Sequence, residues 1–299
     1  MPGLSVLIPV FNRAVQPLVV ALQAQQTNWP GAVEIILLDD GSREEFQNLN
    51  RPLAQSAGVI YWELPQNVGR AAIRNALVVG AQHPWLLLLD NDSLLPDTRF
   101  LARYAAAVAA SQPTEIFIGG TAYEVLPPAD PALLLRWRYG RAREMRPAAQ
   151  RQSAPYAQLT INNALLRANL LHRFPLDERL TGYGHEDTLL GQQLAAAAVP
   201  LRHLDNPVLH DGLEPASVFL EKSRQAVQNL AYVLQHDGLG TDSRLVQTVF
   251  RLKKTGVAGV VRQALAAVEP ALRRNVLGPN PALRALDLLK LYWLLRELR

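Results

Sequence analysis

Cysteine is absent from the 299 residues. That excludes disulfides and thiolate metal sites, and leaves carboxylate, imidazole and carbonyl groups as the donors for any ion. No apolar run approaches the roughly 20 residues of a membrane-spanning helix; the run 85–89 is strand-sized. The start of the chain enters Leu4-Ser5-Val6-Leu7-Ile8-Pro9 without the basic stretch and cleavage site of a signal peptide. The expectation is a cytoplasmic protein, or one peripheral at the inner face of the cell membrane, with no nucleic acid as partner. Internal repeats and low-complexity tracts are also missing.

Hydrophobic residues make up 49% of the chain, enough for one large core or a domain with an appendage. The net charge of +4 conceals an asymmetry. Residues 244–299 hold 11 Lys/Arg and 3 Asp/Glu, a net of +8, while the remainder holds 19 and 23, a net of −4. An acidic front with a basic tail suits a catalytic domain joined to a surface that meets something anionic.

Short apolar runs alternate with amphipathic stretches through the first 120 residues. Strands are expected at 5–10, 33–38, 59–62, 85–89 and 115–118, and helices at 14–26, 43–57, 69–82 and 96–110, with Pro96 in a first turn. This β-α-β-α pattern predicts an α/β fold with a mainly parallel central sheet flanked by helices, whose ligands bind beyond the carboxyl ends of the strands. Residues 127–155 read as irregular, either a mobile active-site loop or a surface crossover. Regular pattern returns at 158–165, 186–198 and 201–210. From 215 the text is helical only, at 216–235, 243–254, 256–267 and 282–298, punctuated by Gly238-Leu239-Gly240, Pro270 and Gly278-Pro279-Asn280-Pro281. The organisation expected is a catalytic domain over 1–214 and a C-terminal helical region over 215–299.

Two acidic segments carry the chemistry. Asp90-Asn91-Asp92 follows four leucines, and two carboxylates so close suit a hard divalent ion shared with phosphate oxygens. A polar loop capping the next helix through Asp92 or Ser93 explains the same text. Gly182-Tyr183-Gly184-His185-Glu186-Asp187 opens a helix, where acids are also favoured by the dipole. A base that deprotonates an acceptor hydroxyl must come from a different segment than the metal site, and this one qualifies. Asp39-Asp40-Gly41-Ser42 reads as a turn with Ser42 and Glu45 as a capping box, and a carboxylate there could accept the N3–H of a uracil or thymine ring. Asn67 to Asn75, with Gly69, Arg70 and Arg74, opens a helix whose start could hold phosphate; taken alone it reads better as an ordinary amphipathic helix with two solvated arginines. His210 ends a strand-like segment and is a candidate third metal ligand or a satisfied structural histidine.

Taken in order, residues 5–13, 34–42, 67–75, 86–92 and 182–187 resemble the family 2 glycosyltransferases, which have the nucleotide-diphospho-sugar transferase (GT-A) fold. The resemblance spans roughly residues 3 to 212. The Gly-x-Gly-x-Glu-Asp form resembles the galactosyl- and N-acetylgalactosaminyltransferases and the bacterial chondroitin-polymerase type. The resemblance implies nucleotide contacts at Pro9, Phe11, Asn12, Arg13, Asp39, Asp40, Asn67, Gly69, Arg70, Arg74, Asp90 and Asn91. It implies Mn2+ or Mg2+ at Asp92 with His210 and Asp90, sugar contacts at Gly184, His185 and Glu186, and Asp187 as the base. The activity implied is an inverting, metal-dependent transfer from a nucleotide-sugar, with uridine favoured, to a glycan or lipid-linked acceptor in cell-surface polysaccharide synthesis.

Two departures stand out. Ser93 replaces a further acid common in the family, and the Q-x-x-R-W loop of processive synthases is absent, so a single-transfer enzyme is expected. A nucleotidyltransferase would carry a Gly-rich loop where Phe11-Asn12-Arg13 stands; a degenerate scaffold would have no use for Asp92 and Asp187. The basic tail suits contact with anionic lipid or a solvated basic face.

Overall fold

A strand covered on both faces must be apolar at consecutive positions, and such runs build the centre of this chain. The computed structural model describes residues 2–110, 116–180, 182–241 and 243–298. The elements are β1 (Leu4–Val10), α1 (Gln16–Gln23), β2 (Val33–Asp39), α2 (Glu44–Asn50), β3 (Val59–Glu63), α3 (Arg70–Gly80), β4 (Trp85–Leu89), β5 (Ser93–Leu94), α4 (Phe100–Ala110), β6 (Ile116–Ile118) and β7 (Thr121–Ala122). There follow α5 (Leu134–Tyr139), α6 (Ala148–Gln152), β8 (Asn163–Arg167), α7 (Ala168–Arg173), α8 (Glu186–Ala196), β9 (Leu201–His203) and β10 (Val208–His210). The chain closes with α9 (Ala216–His236), α10 (Arg244–Lys254), α11 (Ala258–Val276) and α12 (Leu283–Glu297).

The chain packs as two compact units. The first comprises Met1–Tyr123, Met145–Arg179 and Glu186–Gly212; the second comprises Glu124–Glu144, Leu180–His185 and Leu213–Arg299.

In the first unit a sheet runs in the order β3-β2-β1-β4-β8-β6-β9, parallel except for β8. Alternate residues of each strand feed opposite faces. Val6, Ile8, Leu37, Leu87 and Phe117 enter one apolar cluster, and Leu7, Ile36, Leu86, Leu88 and Ile118 enter the other. A second sheet, β5-β10-β7, pairs Ser93 with His210. It therefore ties the segment after β4 to the last strand. In the second unit α9, α10, α11 and α12 bury Phe219, Leu230, Val249, Leu286 and Trp293 among themselves, with Leu135 of α5.

Several expected boundaries move, each for a local reason. The helix expected at 43–57 breaks after Asn50 into a tighter turn, because Pro52 has no N–H to continue it. Ser42 and Glu45 form no capping box: Arg43 is the capping residue, without a side-chain bond, and the Ser42 hydroxyl is used elsewhere. The helix expected from 96 begins at Phe100, since the Asp97 carboxylate takes the Arg99 N–H at 2.8 Å and holds a turn. Residues 127–155 contain α5 and α6. Arg151 of α6 is buried, and its guanidinium donates to the carbonyls of Ile118, Gly119 and Leu204. The segment 201–210 is two strands, parted where Asn206, wholly buried, donates to Phe100 O and accepts from Arg103. Pro270 does not punctuate; it lies inside α11, which runs on to Val276 against α12. Glu115, expected to open a strand, lies outside the described residues.

Candidate functional site

β1, β2 and β4 are parallel, so the segments after Val10, Asp39 and Leu89 share one rim. Asn12 takes a left-handed conformation, φ 48°, which Asn tolerates better than most residues. Two bonds lock it: its N–H donates to Ser42 Oγ at 2.8 Å, and its Oδ1 accepts from Arg43 N–H at 2.9 Å. Asp39, wholly buried, accepts from Ser42 N–H at 2.7 Å and from the Tyr61 hydroxyl at 3.1 Å. Asp40 accepts from Val68 N–H at 2.7 Å. Burial raises the Asp40 pKa, against the opposing pull of the Val68 and Gly69 amides. One aspartate thus braces its own turn and the next braces the entry to α3. Gly69, φ 93°, is the residue that turns into that helix. Pro9 lies in β1, Phe11 and Asn67 are exposed, and Asn91 Nδ2 donates to Phe11 O at 3.3 Å.

Helix α3 presents Arg70 and Arg74 to the end of β4. Arg74, 3% exposed, is paired with Asp90 and donates to the Arg70 carbonyl at 3.1 Å. Arg70 stands 3.8 Å from Asp90 Oδ2 and donates to Glu186 Oε1 at 2.8 Å. Two cations and two acids therefore join β4, α3 and α8. Burial works against the Glu186 charge, yet the charges of Arg70 and Arg74 and the Arg70 bond prevail, and its pKa is lowered. Asp187, one residue on, has the opposite fate. Burial first, then the charges of Glu186 and Asp90, push it up to about 7 despite both arginines. Its Oδ1 is buried with no hydrogen-bond partner among the described residues. A half-buried carboxyl poised near neutrality, with one oxygen buried and unused, is suited to taking up a proton.

Asp92 and His210 meet across the small sheet. Asp92 Oδ2 stands 3.3 Å from His210 Nδ1, and the His210 Nε2 is buried without a partner among the described residues. The ring packs edge-on against Tyr123, 5.2 Å between centroids. Burial is the largest single influence on Asp92 and opposes its charge. The His210 bond and the positive fields of His210, Arg13 and Arg70 outweigh it and hold the carboxyl down at about 2. Asp211 N–H donates to Asp92 O at 2.8 Å, and the Asp211 carboxylate takes Arg13 Nη2 at 2.6 Å. Gly212 closes the cradle: a Cβ there would stand 2.2 Å from Asp92 Oδ2. Among the described residues no three His, Asp or Glu side chains are grouped to hold an ion by themselves. Asp92 and His210 supply two donors, one a buried unpartnered nitrogen, and a hard divalent ion completed by phosphate oxygens fits that set.

Gly184 and His185 fall in the second unit. Both have positive φ, 96° and 78°. Asn229 of α9 donates to Gly184 O at 3.1 Å, and a Cβ on Gly184 would meet that of Ala226 at 2.9 Å. The glycine is thus required by close packing on α9 as well as by its conformation.

Of the residues singled out in the sequence, the first unit gathers Asn12, Arg13, Asp39, Asp40, Arg70, Arg74, Asp90, Asp92, Glu186, Asp187 and His210 on or next to the rim. Asp90 meets arginines rather than another acid or His210. Tyr61 and Tyr123 are not legible as site residues, since an isolated tyrosine offers no signal; Asp211-Gly212 are marked in the sequence by standing directly after His210.

The family model described as glycosyl transferase family 2 matches residues 5–155. Validoxylamine A glucosyltransferase of Streptomyces hygroscopicus subsp. limoneus is 26% identical over 230 residues, 67% of this chain and 49% of that protein. A PGL/p-HBAD biosynthesis glycosyltransferase of Mycobacterium bovis is 32% identical over 123 residues, 40% of this chain and 46% of that protein. The chain spans about half the length of these curated relatives. Among solved structures, the mannosyltransferase PcManGT of Pyrobaculum calidifontis, in complex with GDP-Man and Mn2+, superposes with a TM-score of 0.58 at 16% identity, covering 96% of this chain and 78% of that one. Glucosyl-3-phosphoglycerate synthase of Mycobacterium tuberculosis, in complex with Mn2+, UDP and glucosyl-3-phosphoglycerate, gives 0.53 at 18% identity, covering 81% and 82%. Those likenesses establish the GT-A fold, with its mostly parallel sheet and a helical C-terminal part. With its family model matched from β1 through α6, the chain belongs to glycosyl transferase family 2.

Proposed function

We propose that the chain transfers a sugar from a nucleotide-diphosphate donor to a hydroxyl of a glycan or lipid-linked acceptor in cell-surface polysaccharide synthesis, with inversion at the anomeric carbon. The observation that carries this reading is the division of labour around Arg70. The Arg70 charge acts on both Asp92, held charged beside His210, and Asp187, held near neutrality. Asp92 and His210 would hold Mn2+ or Mg2+, which when bound offsets the charge that develops on the departing diphosphate. Arg70 and Arg13 contribute fixed positive charge to the same region, and the β1, β2 and α3 entry loops, braced by Asp39, Asp40 and Ser42, would seat the nucleoside. Asp187 would accept the proton of the acceptor hydroxyl as the new C–O bond forms and the bond to the diphosphate breaks. Glu186, pinned by Arg70, would touch sugar, as would Gly184 and His185.

A UDP-sugar is the favoured donor, and galactosyl or N-acetylgalactosaminyl transfer is supported by the Gly-x-Gly-x-Glu-Asp text. The solved neighbours named above hold UDP or GDP-Man with Mn2+, in line with this chemistry. The domain assignment proposed is 1–214 for transfer and 215–299 for a helical region. The test is release of nucleoside diphosphate from a panel of nucleotide sugars with Mn2+. Release from one donor, reduced on the order of a hundredfold or more in Asp92→Ala, is the expected result. Release that is equal with chelator or in the variant would overturn the metal role.

A further inference from the structure

The second unit contains a groove of about 530 Å³ between the turn after α5, α10 and α12. Four cations line it: Arg143, Arg244, Arg284 and Lys290, against one acid, Asp287. Asp287 neutralises Arg143 at 2.7 Å, and Lys290 lies 4.5 Å over the Tyr139 ring. Arg244 and Arg284 are exposed and have no ion-pair or hydrogen-bond partner for their guanidinium groups among the described residues. Two guanidinium groups converging on one concavity repel each other unless an anion lies between them. The rest of the lining is aliphatic: Leu245, Leu288 and Leu291 face the same space, and Leu288 is 40% exposed.

We infer that this groove binds the phosphate of an anionic phospholipid at a bilayer surface, with the first methylenes of the lipid against the leucines. The pairing of charges with aliphatic surface selects that occupant. A free phosphate would engage the guanidinium groups and leave the leucine wall in water, whereas a lipid phosphate uses both. Two further features of the same unit agree. Its last 56 residues carry the net charge of +8. Phe250, Val257 and Val260, 43%, 42% and 68% exposed, lie in one stretch with Arg251 and Lys254, as in a helix hairpin that dips into headgroups. No helix among the described residues is long and apolar enough to cross a membrane, so contact of this kind would be peripheral. The inference goes beyond the proposed transfer and does not depend on the donor site.

The experiment is co-sedimentation of the full chain with vesicles of phosphatidylcholine alone or with phosphatidylglycerol. Wild type is compared with Arg244→Gln/Arg284→Gln, and with Arg224→Gln/Arg274→Gln, which removes the same charge from exposed positions outside the groove. Binding to the phosphatidylglycerol vesicles only, weakened about thirtyfold in the groove pair and less than about threefold in the control pair, is the expected result. Leu288→Asp, at an exposed position, lowers binding in the same way. Equal loss in both pairs would reduce the effect to net charge and overturn the site, as would no binding by wild type. Competition by water-soluble dihexanoyl phosphatidate without vesicle binding would assign a free amphiphile and overturn the membrane. Nucleotide release is read on every variant. If release is missing throughout while the vesicle contrast holds, the donor reading fails alone.

Discussion

Neighbouring carboxylates one residue apart, Glu186 and Asp187, are driven in opposite directions by what each touches. Glu186 has Arg70 at 2.8 Å and keeps its charge; Asp187 has burial, no bond on Oδ1 and an acid beside it, and rises to about 7. A base must be deprotonated to act, so kcat/KM is expected to rise with pH through about 7 and level off above it. Asp187→Asn removes that profile along with most of the activity. The same shift has a stability consequence with a definite sign. Between the unfolded value of 3.8 and the folded value of about 7 the native state binds the extra proton, so this residue's contribution favours folding at low pH and is lost as pH rises through about 7. Asp187→Asn is therefore expected to have a higher Tm than wild type at pH 8, with the difference shrinking steadily as pH falls towards 4. A lower Tm at pH 8 would show that the charged carboxylate is stabilised in the fold. None of this is readable from the dipeptide, because the partners of these carboxylates come from residues 70, 74 and 90, a hundred positions away.

At the scale of elements, legibility follows burial. β1, β2 and β4 stand out in the text because both faces are covered, and their apolar runs end where Asp39-Asp40 and Asp90-Asp92 begin. That order alone places the acids on the rim. β5, β7 and β10 are two or three residues long, too short for periodicity to register, yet they set His210 beside Asp92. Side-chain commitments were equally opaque: Ser42 reads as a cap and instead holds the β1 loop, and Pro270 reads as a stop and instead lies within α11. The loop after β10 carries a prediction of its own. Gly212→Ala puts a methyl group 2.2 Å from Asp92 Oδ2, and the carboxylate must turn away from His210. The backbone there has no need of glycine's special conformations, so the fold should persist. The expected outcome is a tenfold or greater rise in the Mn2+ concentration giving half-maximal nucleotide release, with the donor otherwise saturating and Tm close to wild type. An unchanged Mn2+ dependence would separate Asp92 from the metal.

For the whole molecule the governing quantity is the distribution of charge, not its small sum. The last 56 residues carry +8 and the others −4, and the uncompensated Arg244 and Arg284 belong to the basic part. The proposed donor site rests on buried or half-buried groups of the first unit, with Asp92 held by His210 and Glu186 by Arg70 at short range. Exposed charges facing a charged surface are screened within a Debye length of about 10 Å at 0.1 M salt and about 3 Å at 1 M, whereas short buried pairs are screened far less. Salt should therefore pull the two activities apart. Raising NaCl from about 0.1 to 0.5 M is expected to release most of the protein from phosphatidylglycerol vesicles while metal-dependent nucleotide release changes by no more than about twofold. Vesicle binding that resists salt would place the apolar wall of the groove, rather than its arginines, in control of the contact. Nucleotide release that collapses in parallel would mean that donor binding also depends on exposed charge. In that case Arg13, whose Asp211 partner is 54% exposed, would be the first residue to replace.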